Sequence, residues 1–397
     1  MTLRTLKNLD VKGKTVLCRV DLNVPIIQGK VEDATRITKI IPTIENLTKR
    51  GARVVLLSHF GRPKGEYNRE MSLAPLTNYL SEALDGKPIG FAIDCIGEAA
   101  ENAVAEMEDG GVLLLENLRF HAGEEKNNPR FTESLAKLGD AYVNDTFSCS
   151  HRAHASIVGL AKKLPSAAGL LLQSEVESLQ ALLGSAEHPM AAIVAGSKVS
   201  TKLALLQTLV KKVDMLVIGG AMANTFLKAK GYAVGKSLYE KDLVSVAKDI
   251  ILKAEKANCE IFLPSDAVVA RELKEQPECQ IVDVDKVPAD QMILDLGPET
   301  IAALHEKLKS FKTVVWNGPV GAFEFRPFDV ASISIARSLA SLTANGTIKS
   351  VAGGGDVLAA LSCAGLQDSF TYLSTAGGAF LEWLEGAELP GVASLSD

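Results

Sequence analysis

Short apolar runs rich in Val, Ile and Leu alternate with helical patterns along nearly the whole chain. In the first half such runs fall at 15–20, 53–57, 89–92, 111–115 and 141–144. Helical periodicity fills the gaps, for example over 34–50, 73–84 and 129–138. This alternation predicts βαβ units, hence a parallel sheet with helices on both faces. A longer helical stretch follows, from Ser166 to Leu183, with apolar positions at Leu170, Leu171, Leu179 and Leu182 and acids at Glu175 and Glu177. It ends at Gly184, and Glu187-His188-Pro189 breaks the pattern. A second strand series then runs through 191–195, 215–218, 260–263, 280–283, 313–316, 348–352 and 370–373, with helices over 203–210, 241–257 and 329–343. The expected fold is α/β, with two doubly wound, Rossmann-like parallel-sheet domains joined by a connecting helix and hinge. The boundaries expected are 1–165 for the first domain, 166–189 for the connection and 190–378 for the second domain. The remaining segment, 379–397, is expected to pack back toward the first domain.

Length agrees with two domains, because 397 residues exceed one ordinary core. The apolar fraction, 47%, argues against disorder. A net charge of −6 disfavours a nucleic-acid partner, so any basic site is local. No signal-peptide pattern precedes Lys14, and no apolar run approaches the ~18 residues of a membrane span. Cys18, Cys95, Cys149, Cys259, Cys279 and Cys363 are scattered without a Cys-x-x-Cys pair. That usage fits a reduced, cytoplasmic compartment.

Parallel sheets bind ligands outside the carboxyl ends of their strands. In the first half those ends lead into Asp21-Leu22-Asn23-Val24-Pro25, with Arg36 beyond, and into Ser58-His59-Phe60-Gly61-Arg62-Pro63. Two more lead into Glu116-Asn117-Leu118-Arg119-Phe120-His121, and into Asp145-Thr146-Phe147 followed by His151-Arg152-Ala153-His154. Four arginines and four histidines are thereby expected on one rim. Guanidinium forks match carboxylate and phosphate oxygens, so the first domain is expected to bind a small anion with several acidic groups. A metal on the histidines is disfavoured, since only His151 and His154 are close in sequence and the arginines repel a cation.

The second half offers three phosphate-like features. Ala195-Gly196-Ser197-Lys198-Val199-Ser200-Thr201-Lys202 joins a strand to a helix, and Lys198 and Lys202 share a face if both are helical. Gly231-Tyr232-Ala233-Val234-Gly235-Lys236-Ser237 imitates a P-loop but has three residues between its glycines instead of four, and it follows a helix. It is rejected. The third, Gly353-Gly354-Gly355-Asp356, opens a helix running through Leu358, Leu361 and Ala364. It reads equally as a phosphate cradle at a helix N-terminus or as an ordinary turn with an Asp cap. Asn317-Gly318-Pro319, with Glu324 beyond, is a plausible wall for a nucleotide.

At this point the chain resembles the phosphoglycerate kinase family of bacteria. Arg19 to Pro25, His59 to Pro63, Glu116 to Phe120 and His151 to Ser156 resemble its substrate motifs. Ser197 to Lys202, Gly219 to Leu227, Trp316 to Glu324 and Gly353 to Asp356 resemble its nucleotide motifs, in the same order along the chain. The resemblance implies reversible phosphoryl transfer from 1,3-bisphosphoglycerate to Mg-ADP, giving 3-phosphoglycerate and Mg-ATP, by direct in-line transfer after domain closure. It implies a phosphoglycerate site at Asp21, Leu22, Asn23, Arg36, His59, Phe60, Gly61, Arg62, Arg119 and Arg152. It implies a nucleotide site at Lys202, Asn317, Glu324, Gly353, Gly354, Gly355 and Asp356, with Asp356 on Mg²⁺. Arg36, Lys198, Lys202 and Gly354 are the residues it implies at the moving phosphoryl group. A cytoplasmic monomer is implied as well. Departures from the commonest pattern are Leu22 for phenylalanine, Phe60 for leucine, Tyr372 for histidine and Ala376 within Ser374-Thr375-Ala376-Gly377-Gly378. Two alternatives are a two-lobed, non-catalytic binding protein for an acidic metabolite and a nicotinamide dehydrogenase. No Gly-x-Gly-x-x-Gly opens a helix here, which disfavours the second.

Overall fold

The structure is a computed structural model that describes residues 2–27, 30–184, 186–374 and 376–396. Thr375, inside the glycine-flanked run of the resemblance, lies outside the described residues. The chain divides into two compact units, Met1–Glu177 with Glu388–Asp397, and Ser178–Ala387. The first boundary therefore falls inside the helix Leu170–Leu179. Residues 379–387 stay with the second unit, and only the last ten return to the first.

In the first unit the strands are β1 (Thr15–Arg19), the small hairpin β2 (Ile26–Ile27) and β3 (Lys30–Val31), then β4 (Arg53–Leu57), β5 (Ile89–Ala92), β6 (Val112–Leu115), β7 (Ala141–Asn144) and β8 (Ser166–Ala168). Six of them form one parallel sheet in the order β5-β6-β4-β1-β7-β8. β1, β6 and β7 are buried at every position, as strands covered on both faces must be. The helix Thr35–Lys49 lays Ile37, Ile40, Ile44 and Leu47 on one stripe, and that stripe joins Val16, Cys18, Val54 and Leu56 in the core. The sequence expectation of a helix from Ser166 is corrected: Ser166–Ala168 is an edge strand, and the helix begins at Leu170. Asp145 Oδ1 accepts from the N–H groups of Leu171 and Leu172 and so caps that helix from β7. The C-terminal residues belong here because Leu3 and Ser396 form an antiparallel bridge and Gly391 packs on Ser150.

The second unit repeats the plan with β9 (Met190–Ala195), β10 (Met215–Gly219) and β11 (Glu260–Phe262), then β12 (Asp266–Ala270), β13 (Cys279–Asp283) and β14 (Met292–Leu296), and last β15 (Thr313–Asn317), β16 (Lys349–Gly353) and β17 (Tyr372–Ser374). Its parallel sheet has the order β11-β10-β9-β15-β16-β17. β13, β12 and β14 form a separate antiparallel sheet. An all-parallel unit was the expectation, so this sheet corrects it. β13 is largely exposed, and the reversal of direction is permitted because one face of an antiparallel sheet can meet water.

In both units the chain leaves the first strand toward one edge and then returns to its other side. The reversal lies between β1 and β7 in the first unit and between β9 and β15 in the second. Such switch points open a crevice at the carboxyl ends of the two strands. Among the described residues no helix is long and apolar enough to cross a membrane.

Candidate active site

The crevice of the first unit is built on a buried cation. Arg19 closes strand β1, apolar from Val16 to Cys18, and is fully buried. A charge there is tolerable only if its donors are satisfied. Nε donates to Ser156 Oγ at 3.0 Å, one terminal nitrogen donates to the Val20 carbonyl, and the other lies 2.9 Å from His59 Nδ1. A guanidinium only donates, so His59 Nδ1 accepts and its proton sits on Nε2. Burial, then the charge of Arg19, pushes the His59 pKa well below the ordinary histidine value. The imidazole is a neutral, oriented donor.

Around it the loops interlock. Asp21 accepts from Asn23 N–H at 3.0 Å and from Ser148 Oγ at 2.5 Å, and its carboxylate lies 3.1 Å from Arg36. Arg36 also donates to the Asn23 carbonyl at 2.7 Å. The Asn23 side chain accepts from Gly61 N–H at 2.9 Å, and Arg119 donates to the Gly61 carbonyl at 2.8 Å. Arg152 Nε donates to His151 Nε2 at 3.1 Å. Arg62 is exposed and has no side-chain partner among the described residues. His154 is pushed down to about 3 by burial and then by Arg119, Arg19 and Arg152. Glu124 is buried beneath, accepts from Ser156 N–H and Oγ at 3.0 and 2.6 Å, and has its carboxyl raised by burial.

The structure thus brings Asp21, Asn23, Arg36, Gly61 and Arg119 together as one bonded set, with the His59 side chain bonded to Arg19. Leu22 has a fully buried side chain in the core, so only its backbone can face a ligand. Phe60 packs against the same core. His121 does not join the set: Asp94 Oδ1 holds its Nε2 at 2.6 Å. Arg19, Ser148, Ser156 and Glu124 were not singled out as site residues by the sequence reading. An arginine ending an apolar β-run is the one signal that marks them.

The crevice of the second unit is built from backbone. After β9 the chain turns at Gly196, and after β15 it turns at Gly318, whose φ is +93°. A methyl at Gly318 would overlap the Ala195 carbonyl and come within 2.9 Å of Lys202 Nζ. A methyl at Gly220 would meet the Gly196 carbonyl at 2.7 Å. Lys202 reaches into this corner, donating to the Ala195 carbonyl and to Asn317 Oδ1, each at 2.5 Å. Burial lowers its pKa to about 8, with Asp356 opposing the shift. Asn317 passes the connection on, because its Nδ2 donates to the Gly353 carbonyl at 2.6 Å.

β16 ends in the glycine run. Gly354 has φ +110° and ψ 139°, a conformation open only to glycine, and is the N-cap of the helix Gly355–Cys363. A side chain at Gly353 would strike the Phe380 ring. The first bond of the helix runs from Leu358 N–H to the Gly354 carbonyl, so the N–H groups of Gly355, Asp356 and Val357 have no intrahelical acceptor. The Asp-cap reading is corrected: Asp356 lies one residue inside the helix, makes no cap bond, and is exposed without a side-chain partner among the described residues. A carboxylate without a hydrogen-bond partner, beside backbone N–H groups that have no intrahelical acceptor, fits a Mg²⁺ that arrives with a nucleotide.

One other expectation needs correction. Lys198 and Lys202 do not share a helical face, since the helix starts at Leu203 and both precede it. Lys198 is exposed, and Glu240 occupies the adjoining N–H and hydroxyl of Ser200. Glu324 is exposed, and no hydrogen bond or ion pair among the described residues ties it to Lys202, Asn317 or the glycine run. The imitation P-loop is a structural turn, with Lys236 N–H donating to the Gln291 carbonyl.

Fold and sites together define a two-unit α/β protein with one switch-point rim per unit, one carrying guanidinium groups and one carrying backbone N–H groups without intrahelical acceptors. The family model described as phosphoglycerate kinase matches residues 6–387. A phosphoglycerate kinase of Cereibacter sphaeroides is 57% identical over 396 residues, covering 100% of both chains. One of Sinorhizobium fredii is 56% identical over 393 residues, covering 99% of this chain and 98% of its own. Among solved structures, phosphoglycerate kinase from Coxiella burnetii matches at 41% identity with a TM-score of 0.89, covering 99% of each chain. The chain belongs to the phosphoglycerate kinase family. Its activity is that of the family: reversible phosphoryl transfer between 1,3-bisphosphoglycerate and ADP, giving 3-phosphoglycerate and ATP, in glycolysis and gluconeogenesis. The non-catalytic binding-protein alternative finds no support.

Proposed function

We propose that the first unit holds the phosphoglycerate and the second holds Mg-ADP or Mg-ATP. The observation that carries this division is the contrast between the two crevices. Guanidinium groups that follow four strands of one sheet, on a helix start, a 3-10 turn and two loops, suit a ligand with a carboxyl and phosphate groups. A glycine-lined helix N-terminus with one lysine suits a diphosphate tail. In the first unit Asp21, Asn23, Arg36, His59, Gly61, Arg62, Arg119 and Arg152 bind the phosphoglycerate, with the backbones of Leu22 and Phe60 shaping the wall. In the second, Lys202, Asn317, Gly353, Gly354 and Gly355 bind the nucleotide phosphates, and Glu324 is assigned to the ribose. Asp356 would hold the Mg²⁺, which would neutralise phosphate charge.

Transfer is direct. A terminal oxygen of ADP attacks the acyl phosphorus in line, the P–O bond to the carboxyl carbon's oxygen breaks, and its electron pair leaves on the 3-phosphoglycerate carboxylate. No proton moves, because both oxygens are ionised. Catalysis is then positioning plus positive charge around the phosphoryl group. Arg36, Lys198, Lys202 and the N–H groups after Gly354 supply that charge. The two ligands must be brought into line with water excluded, so the mechanism includes a closed state. The protein is proposed to work as a cytoplasmic monomer.

ATP formation from 1,3-bisphosphoglycerate and ADP, followed by a coupled assay, tests the reaction. Stoichiometric ATP and 3-phosphoglycerate are expected. Release of inorganic phosphate in place of ATP would reject direct transfer.

A further inference from the structure

The geometry points to a second, unrelated cation site in the first unit: Asp94, Cys95 and His121 form a three-ligand centre for a divalent ion of the zinc class. One donor atom from each lies within 4.8 Å of the other two. β5 and β6 are hydrogen-bonded neighbours, Asp94 and Cys95 follow β5, and His121 ends the short 3-10 turn Leu118–Phe120 after β6. The sheet therefore fixes both loops before any ion arrives. The His121 ring is held by stacking on Phe131, with centroids 5.3 Å apart and 29° between planes. The Asp94 carboxylate is held by the Cys95 N–H at 2.6 Å. Cys95 is buried, while Asp94 and His121 are partly exposed, so an ion enters from the carboxylate–imidazole side and keeps an open position there.

The donor set selects the ion. Mg²⁺ and Ca²⁺ take oxygen ligands and gain nothing from a thiolate or an imidazole. Sulfur, nitrogen and oxygen together match Zn²⁺ and its neighbours. Thiolate and carboxylate cancel the charge of the dication, so no net charge is left in a half-buried place. Bonds of about 2.0–2.3 Å put tetrahedral ligands roughly 3.3–3.7 Å apart. The present Asp94–His121 hydrogen bond of 2.6 Å opens by about an ångström to admit the ion. Coordination releases the Cys95 thiol proton to solvent and leaves the imidazole proton on Nδ1. The bound ion ties the loop after β5 to the turn that carries Arg119, two residues before His121. It stiffens the wall of the guanidinium crevice without entering it.

The test uses metal-free protein in a Cys279→Ser, Cys363→Ser background, which removes the two exposed thiols. Titration with Co²⁺ is expected to load one ion per chain, with a sulfur-to-cobalt charge-transfer band and the visible absorption of a four-coordinate centre. Zn²⁺ is expected to displace it, and the loaded protein to melt at a higher temperature. Cys95→Ser is expected to abolish the charge-transfer band. His121→Gln and Asp94→Asn are expected to weaken Co²⁺ binding by about 10- to 100-fold or more. Should Cys95→Ser fail to fold, the half-exposed His121→Gln carries the test. Absence of the band in the parent, a band that survives Cys95→Ser, or undiminished binding in His121→Gln overturns the site.

Discussion

The crevice of the first unit is made of side chains and that of the second of backbone. Arg36 opens the helix Thr35–Lys49, Arg119 sits in the 3-10 turn Leu118–Phe120 and Arg152 in a bend, so the charge is carried by side chains, and shortening one pushes no new atom against main chain. The corner at Gly220, Gly318 and Gly354 has no such reserve, because a single added methyl meets main chain or the Asn317 amide. The difference teaches where each unit keeps its specificity. On the proposed division of ligands, the first unit would read the charge pattern of a small ligand, and the second the shape of a phosphate chain. Electrostatics dominate one, and close backbone approach dominates the other.

Substitutions that separate charge from shape should therefore behave differently in the two units. The largest expected effect is on turnover. Arg36→Ala removes a guanidinium held between Asp21 and the Asn23 carbonyl, and kcat should fall by about 10²–10³-fold while Mg-ADP still binds. Near-normal kcat in a steady-state assay would take Arg36 out of the reaction. Next comes Gly354→Ala, which forces a side chain into φ +110° and within 2.8 Å of Asn317 Nδ2. Backbone strain of about 1–3 kcal/mol should raise the nucleotide KM some 5- to 100-fold and lower the melting temperature, with 3-phosphoglycerate affinity unchanged. Equal damage to both ligands in parallel titrations would blur the comparison. The smallest effect is a pH dependence. Lys202 has a pKa of about 8, so it is charged at pH 7 and loses its proton as the pH climbs past 8. Nucleotide phosphates favour the charged form, so binding takes up a proton above pH 8 and affinity falls there by a few-fold. Calorimetry in two buffers of different ionisation enthalpy checks this, and no proton uptake at pH 8.5 would exclude Lys202 as a phosphate ligand.

The same contrast governs how far the sequence could be read. β4, β5 and β7 begin and end where their apolar runs do; β4 and β7 are buried almost throughout, as inner parallel strands are, and the edge strand β5 only in part. The antiparallel sheet was not legible as such. β13 was expected as a strand at 280–283, but the other two strands of this sheet were not: β12 carries Asp266 with only alanine or valine beside it, and β14 is interrupted by Asp295, so nothing marked an antiparallel partner. Ser166–Ala168 has no β-branched residue and becomes a strand only because β7 offers an edge. Side-chain chemistry in the first crevice could be found from the residues just past the carboxyl end of each strand. Its support could not: Arg19 reads as the polar end of β1, and Ser156 and Glu124 become relevant only through bonds spanning 137 and 32 residues. In the second crevice glycine spacing pointed to the place, but whether Asp356 caps the helix or stands free depends on the dihedral angles of Gly354. The expected lysine face failed for a similar reason, since the helix begins one residue after Lys202.

The division of ligands between the two units is tested most directly by calorimetric titration of Arg62→Ala and Asp356→Ala, each with 3-phosphoglycerate and with Mg-ADP. Neither side chain has a partner among the described residues, so both variants should fold as the parent does. Arg62→Ala is expected to weaken 3-phosphoglycerate binding by about tenfold or more and to leave Mg-ADP unchanged, which corresponds to one charged hydrogen bond. Asp356→Ala is expected to do the reverse. Loss of Mg-ADP binding in Arg62→Ala with 3-phosphoglycerate binding intact would contradict the account.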